Sequence, residues 1–264
     1  MVRLLKLTLA MMLLCAPVAL ASGTSVPAVT LTVAAPPSLR APFQEILRMF
    51  EEEHGVPVEV QYGPSHLIRR QIEHGAPIDV FLSESLHDVE VLHQKGLTLL
   101  GGPRQYAQTS MVVVMSSASP ATAISFGEAS PRSLRVALVD PKASSAGAIA
   151  VKALKQMDPM VHHHARLLPA PHTDEVVRLV SAGDADVGVV YRADAINSGQ
   201  VRIIDEAPSG RSIPVVFSQT VVSTCRENSL PAAQQFVNFM MTPRIQKLLL
   251  KYGFDSMPTK GAVG

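Results

Sequence analysis

The order of its apolar runs constrains this chain most. From residue 29 to residue 96, and again from residue 134 to residue 204, short stretches rich in Val, Ile, Leu and Ala alternate with stretches of helical periodicity. The breaks between them are a few residues long. A strand that returns to its sheet through a helix lies parallel to its predecessor, so the alternation predicts an α/β fold with mostly parallel, doubly wound sheets. In the first unit, residues 29–35 (VTLTVAA) read as a strand and Pro36-Pro37-Ser38 breaks it. A helix follows over residues 39–53, with Phe43, Ile46, Leu47 and Phe50 on one face and Gly55 as its stop. In the second, a strand over 58–62 is broken by Gly63-Pro64, and Ser65 stands where a helix N-cap is expected. Leu67, Ile68 and Ile72 give that helix its apolar side, Gly75-Ala76-Pro77 ends it, and residues 78–82 form a buried strand. Residues 85–95 predict a further helix, stopped by Gly96.

Residues 108–115 (QTSMVVVM) read differently, as one long strand after the Gly101-Gly102-Pro103 loop, and they predict a crossover into a second lobe. There the alternation resumes: strand 134–139, a small-residue turn at 143–147, helix 148–157, strand 165–168, helix 173–182, and strands 187–191 and 201–204. Residues 213–222 are long enough to cross back, and helices over 231–241 and 243–251 close the chain. Two crossovers make a hinged pair of lobes, one built from 22–108 plus 219–264 and the other from 109–218. Ligands of such sheets bind beyond the carboxyl ends of the strands, at helix N-termini.

One arrangement recurs at those ends. Ser38, Ser65, the Ser144-Ser145-Ala146-Gly147 turn and Thr173 each stand at a helix start after a strand, and Tyr191 ends a strand. First-turn N–H groups have no partner within their helix, and the helix dipole makes that end positive. Four such ends, two from each lobe, converging with neutral hydroxyls suit a dehydrated dianion. A ligand that needs a proton-accepting partner is expected to meet no carboxylate there.

Composition narrows the class. The chain has 264 residues and a formal net charge of +1, so it lacks the basic balance of a nucleic-acid surface. Trp is absent, which removes the best stacking platform for bases and sugars. Arg3 and Lys6 precede an apolar run over residues 7–20, and Ala19-Leu20-Ala21 fits a small-x-small cleavage site. Residues 1–21 therefore read as a signal peptide, with the mature chain starting at Ser22. Cys15 falls inside that leader, which leaves Cys225 alone and excludes an intrachain disulfide.

The stretches VAAPPSL (33–39), RQIEHGAPIDVFLS (70–83), MVVV (111–114), DPKASSAGAIAVKAL (140–154), VGVVYRADA (187–195) and PRIQKLLLKYGF (243–254) carry a resemblance that spans nearly the whole mature chain. Together they resemble the periplasmic molybdate-binding proteins of ABC importers. The resemblance implies a two-lobed type II binding-protein fold and an inorganic oxyanion, molybdate or tungstate, as ligand. It implies no enzyme activity, no cofactor and no free metal cation. A membrane permease and an ATPase are the implied partners, with no nucleic acid, and the protein is expected to be a periplasmic monomer. In that family the oxyanion is held by two serines, two backbone N–H groups and a tyrosine hydroxyl. Those roles fall here on Ser38, Ser65, Ala146, Thr173 and Tyr191. Pro36 and Pro37 stand where the family has small residues, and Gly63, Pro64 and His66 surround Ser65 in place of a serine-rich run. These departures keep open a related binding protein for sulfate, thiosulfate or an organic carboxylate.

Other residue patterns compete with this reading. His162-His163-His164 invites a metal site, but consecutive residues do not point at one centre unless a loop bends them, and a solvated loop is the simpler reading. A secreted metal-dependent or serine hydrolase is the competing class, and for the serine hydrolase there is no G-x-S-x-G elbow. Asp79 and Asp186, beside buried strands, are expected to cap or pair within the scaffold, Arg69 to pair with Glu73, and Cys225 to pack as a small apolar residue.

Overall fold

A computed structural model describes residues 29–121, 134–142, 144–157, 165–206 and 214–255. The expected leader and the three consecutive histidines lie outside the described residues.

The chain forms two five-stranded sheets. The first contains β1 (Leu31–Ala35), β2 (Val58–Tyr62), β3 (Val80–Ser83), β4 (Thr98–Thr109) and β10 (Val215–Val222), in the order β2-β1-β3-β10-β4. The second contains β5 (Met111–Ser116), β6 (Leu134–Val139), β7 (Ala165–Ala170), β8 (Val187–Tyr191) and β9 (Val201–Glu206), in the order β7-β6-β8-β5-β9. Helices α1 (Arg40–His54), α2 (Ser65–Glu73), α3 (Leu86–Gln94), α7 (Leu230–Phe239) and α8 (Pro243–Lys251) accompany the first sheet. The second carries α4 (Ser145–Met157), α5 (Thr173–Ser181) and α6 (Arg192–Ser198). β1 runs parallel to β2 and β3, and β6 parallel to β7 and β8, as helix crossovers require. β10 pairs antiparallel with β3 and β4, and β5 antiparallel with β8 and β9.

The expected single strand over 108–115 is two strands that meet at Ser110. β4 belongs to one sheet and β5 to the other, with Thr109 opposite Val215 and Met111 opposite Tyr191. The signal missed was residues 98–107, whose glycines and Pro103 disguise an edge strand that tolerates them. Helix boundaries shift by one to three residues. The αL conformation of Gly55, with φ 66°, closes α1 as expected.

Apolar burial explains each layer. Phe43, Ile46 and Phe50 line the buried face of α1. Phe50 meets Phe236 of α7 edge-on at 5.0 Å and Phe239 at 5.3 Å. In the second lobe Val176, Val177 and Val180 of α5 pack onto β8, where a Cβ at Gly188 would come within 2.7 Å of Val176 and 2.9 Å of Val180. Gly188 therefore sets how closely α5, and the site residues at its start, lie against the sheet.

The two carboxylates expected in the scaffold are there. Asp79 is fully buried and accepts from the Thr32 N–H at 2.8 Å, the Arg226 N–H at 3.1 Å and the Arg226 guanidinium at 2.6 Å. It ties β1, β3 and the segment after β10 together. Asp186 accepts from the Arg135 N–H at 2.8 Å and its guanidinium at 2.7 Å. Arg69 bridges Glu73 at 2.5 Å and Asp88 at 2.8 Å, fastening α2 to α3. Cys225 is half-buried, and burial beside Asp79 pushes its thiol up to about 12, so it is not a nucleophile.

Candidate functional site

The site lies where the two sheets present their strand ends to one another. Ser38 sits in a 3-10 turn, Pro37–Leu39, between β1 and α1, and is 5% exposed. Its neighbour Pro36 is extended and Pro37 occupies the first position of the turn, where a missing N–H costs nothing. The Ser38 hydroxyl donates to Asp194 Oδ2 across the cleft at 3.2 Å.

Ser65 is 1% exposed and is the first residue of α2, not its cap; Pro64, extended, holds the cap position. Its Oγ accepts from the Glu84 N–H at 3.1 Å. A hydroxyl that accepts one hydrogen bond keeps its own hydrogen to donate elsewhere. His66, beside it, is half-buried, and desolvation holds its imidazole below the ordinary range. It is therefore a neutral neighbour at pH 7, not a cation.

On the opposite lobe, α4 begins at Ser145, three residues earlier than its periodicity suggested, so Ala146 lies in its first turn and is 4% exposed. A Cβ at Gly147 would stand 2.4 Å from the Val139 carbonyl oxygen. Only glycine lets this helix start so close to the end of β6. Thr173, 5% exposed, opens α5, but the cap is His172, whose Nδ1 accepts from the Glu175 N–H at 3.3 Å. Both expected hydroxyl caps, Ser65 and Thr173, thus stand one position inside their helices, where their own N–H groups point out of the first turn.

Tyr191 ends β8 and is fully buried, and its hydroxyl faces the Glu84 carboxyl. Phe217 of β10 holds its ring edge-on at 5.8 Å. The same Phe217 meets Tyr106 of β4 at 6.2 Å. The Tyr106 hydroxyl is buried and without a partner among the described residues. A buried hydroxyl without a partner costs about 1–3 kcal/mol, which a scaffold sustains when the group has work to do on a ligand.

Two carboxyl groups share this place, against the expectation that no carboxylate would. Asp194, in the first turn of α6, takes the Ser38 bond and is also held by the Thr173 hydroxyl, yet burial outweighs both and pushes it up to about 7. Glu84 follows β3. Burial raises it to about 8, assisted by the nearby Asp194, Asp88 and Asp174 and opposed by the Tyr191 hydroxyl. The signal was available, because Glu84 immediately follows the carboxyl end of a buried strand and Asp194 sits three residues after Tyr191. Both were passed over because charged side chains at strand ends ordinarily face water.

Beside Ser38 a groove of about 360 Å³ opens along the seam between the lobes, lined by Arg40, Gln44, Asp174, Asp194 and Asn197 among others. The seam is also closed from behind. Asn197 Nδ2 donates to the Tyr252 carbonyl at 2.9 Å, and a Cβ at Gly253 would stand 2.8 Å from Ile196 Cδ1.

Two α/β lobes with helix starts facing across a cleft are the architecture of a protein that binds a small solute between its lobes. The family model described as bacterial extracellular solute-binding protein matches residues 31–255, and this chain belongs to that family. It is a solute-binding protein and not an enzyme. The chain is 26% identical over 229 residues to the putative ABC transporter substrate-binding lipoprotein YvgL of Bacillus subtilis, covering 86% of this chain and 87% of that one. It is 28% identical over 229 residues to the molybdate-binding protein ModA of Escherichia coli, covering 85% and 88%. Among solved structures, the sulfate-binding protein SubI of Mycobacterium tuberculosis shares the fold with a TM-score of 0.73 at 19% identity, covering 87% of this chain and 88% of that one.

Proposed function

We propose that this protein captures a tetrahedral oxyanion, molybdate or tungstate, in the interlobe cleft and delivers it to the permease and ATPase of an ABC importer. The observation that carries the reading is the fully buried Tyr191 hydroxyl at a strand end beside buried Ser38, Ser65 and Thr173. In this reading Ser65, Tyr191 and the first-turn N–H groups of Ala146 and Thr173 donate to the anion. Ser38 turns its hydroxyl from Asp194 to the bound oxygen. The name of the E. coli relative supports molybdate. The ion is cargo, and the chain carries no resident cofactor. Export by residues 1–21 places the mature monomer in the periplasm, and the lobes, 22–108 with 219–264 and 109–218, close by bending at the two crossovers.

A second reading, the same fold holding another anion such as sulfate, is favoured by Pro36 and Pro37 stiffening the approach to Ser38. A thermal melt against molybdate, tungstate, sulfate and phosphate separates the two. At 100 times the dissociation constant a ligand adds about 2.7 kcal/mol, a rise of about 5–10 °C for a chain of this size. A rise with molybdate and tungstate alone is expected. A rise only with sulfate or phosphate transfers the site to the second reading, and none at all refutes the oxyanion site.

A further inference from the structure

Five neutral donors account for an anion site of this kind, and Glu84 is not one of them. Its backbone is held by its own N–H and through its neighbour Ser85. The Ser83 Oγ accepts from the Ser85 N–H at 3.0 Å and donates to the Ser85 carbonyl at 2.8 Å, and the Ser218 hydroxyl of β10 donates to the same carbonyl at 3.2 Å. Glu84 is the residue pinned between those serines, and its own N–H holds the Ser65 hydroxyl at 3.1 Å. The side chain faces the buried Tyr191 hydroxyl, which interacts with its carboxyl, and the buried Tyr106 hydroxyl, which has no partner among the described residues.

We propose that Glu84 is a further contact of the oxyanion site, entering it as a carboxylic acid whose proton is donated toward the bound anion. The inference rests on the oxyanion reading of the cleft. As a carboxylate, Glu84 would repel a dianion a few ångströms away. As an acid it is a neutral donor like the hydroxyls around it. The groups facing it agree. From its own side comes Asp88, already paired with Arg69. From the other lobe come Asp194, Asp174 and the Tyr191 hydroxyl, and from β4 the Tyr106 hydroxyl. Three neighbouring carboxyl groups oppose a charge on Glu84, burial opposes it further, and its carboxyl is accordingly raised to about 8. A bound dianion adds to that opposition, so anion capture retains or takes up a proton. The sign is fixed: affinity is full below the carboxyl's titration and lost above it.

The test is molybdate binding by titration calorimetry from pH 6 to pH 9.5, on the wild type and on Glu84→Gln. The wild type is expected to bind with level affinity below pH 7 and to lose about tenfold per pH unit above pH 8, with proton uptake revealed by buffers of different ionisation enthalpy. Glu84→Gln, which keeps a neutral donor of the same shape at every pH, is expected to lose most of the decline above pH 8. Level wild-type affinity across the range, or an undiminished decline in Glu84→Gln, overturns the proposal while leaving the anion site intact. Failure of the wild type to bind molybdate at any pH refutes the functional reading instead. The acid itself is then tested by infrared difference spectra of the ligand-free proteins at pH 7. A protonated carboxyl band present in the wild type and missing in Glu84→Gln supports it, and its absence from the wild type overturns it.

Discussion

Replacing Ser65 by Ala separates what this hydroxyl does for the anion from what it does for the scaffold. Ser65 is 1% exposed, and its Oγ accepts from the Glu84 N–H at 3.1 Å, which leaves the hydroxyl hydrogen for the cleft. A neutral donor to a desolvated charge is worth about 1.5–3 kcal/mol. Its loss therefore weakens molybdate by about 10- to 150-fold. The scaffold loses the acceptor of the Glu84 N–H, a cost of about 1 kcal/mol. That lowers the melting temperature of the ligand-free protein by about 2–4 °C. The methyl group left behind fills nearly the same space, so no cavity adds to either figure. Calorimetric titration at pH 6 reads the first number and a melt without ligand reads the second. A variant that melts a few degrees lower but binds molybdate as tightly as the wild type refutes the reasoning: Ser65 would then only shape the turn after β3.

Tyr191→Phe should act unequally on the two readouts. Removing a hydroxyl that faces only the Glu84 carboxyl should cost the ligand-free protein no more than about 1 kcal/mol, while anion affinity falls at least tenfold; a loss of stability with unchanged affinity would show that the hydroxyl serves the scaffold alone. Asp79→Ala strands two backbone donors and the Arg226 guanidinium, and urea unfolding should show a loss of about 3–5 kcal/mol. Burial pushes the Asp79 carboxyl up, but the Arg226 guanidinium and the two N–H groups outweigh it and hold the group below the ordinary carboxylate range. Its contribution is thus present above the ordinary Asp range, about pH 4, and is lost as pH falls through the lowered value. A wild-type stability that does not fall on acidification below about pH 4 more steeply than that of Asp79→Ala would contradict this.

The sequence determined the architecture of this protein, because the signals were local. Strands of Val, Leu and Ala ending at Pro36-Pro37, Gly63-Pro64 and Asp140-Pro141, each followed by an amphipathic helix, admit few arrangements other than parallel sheets wound by helices. The neutral hydroxyls Ser38, Ser65 and Thr173, and Tyr191 at a strand end, were visible for the same reason, since each is marked by its own break. The tertiary structure decided what surrounds them. β4 was hidden because a glycine-rich edge strand draws its stability from β10, over a hundred residues away, rather than from its own composition. The caps moved to Pro64 and His172 because cap position depends on backbone angles that the neighbouring strand sets. Above all, the carboxyl groups of Glu84 and Asp194 come from opposite lobes, 110 positions apart (Glu84 to Asp194). No periodicity connects them, and only the packing of one lobe against the other gives them the surroundings that raise both carboxyls.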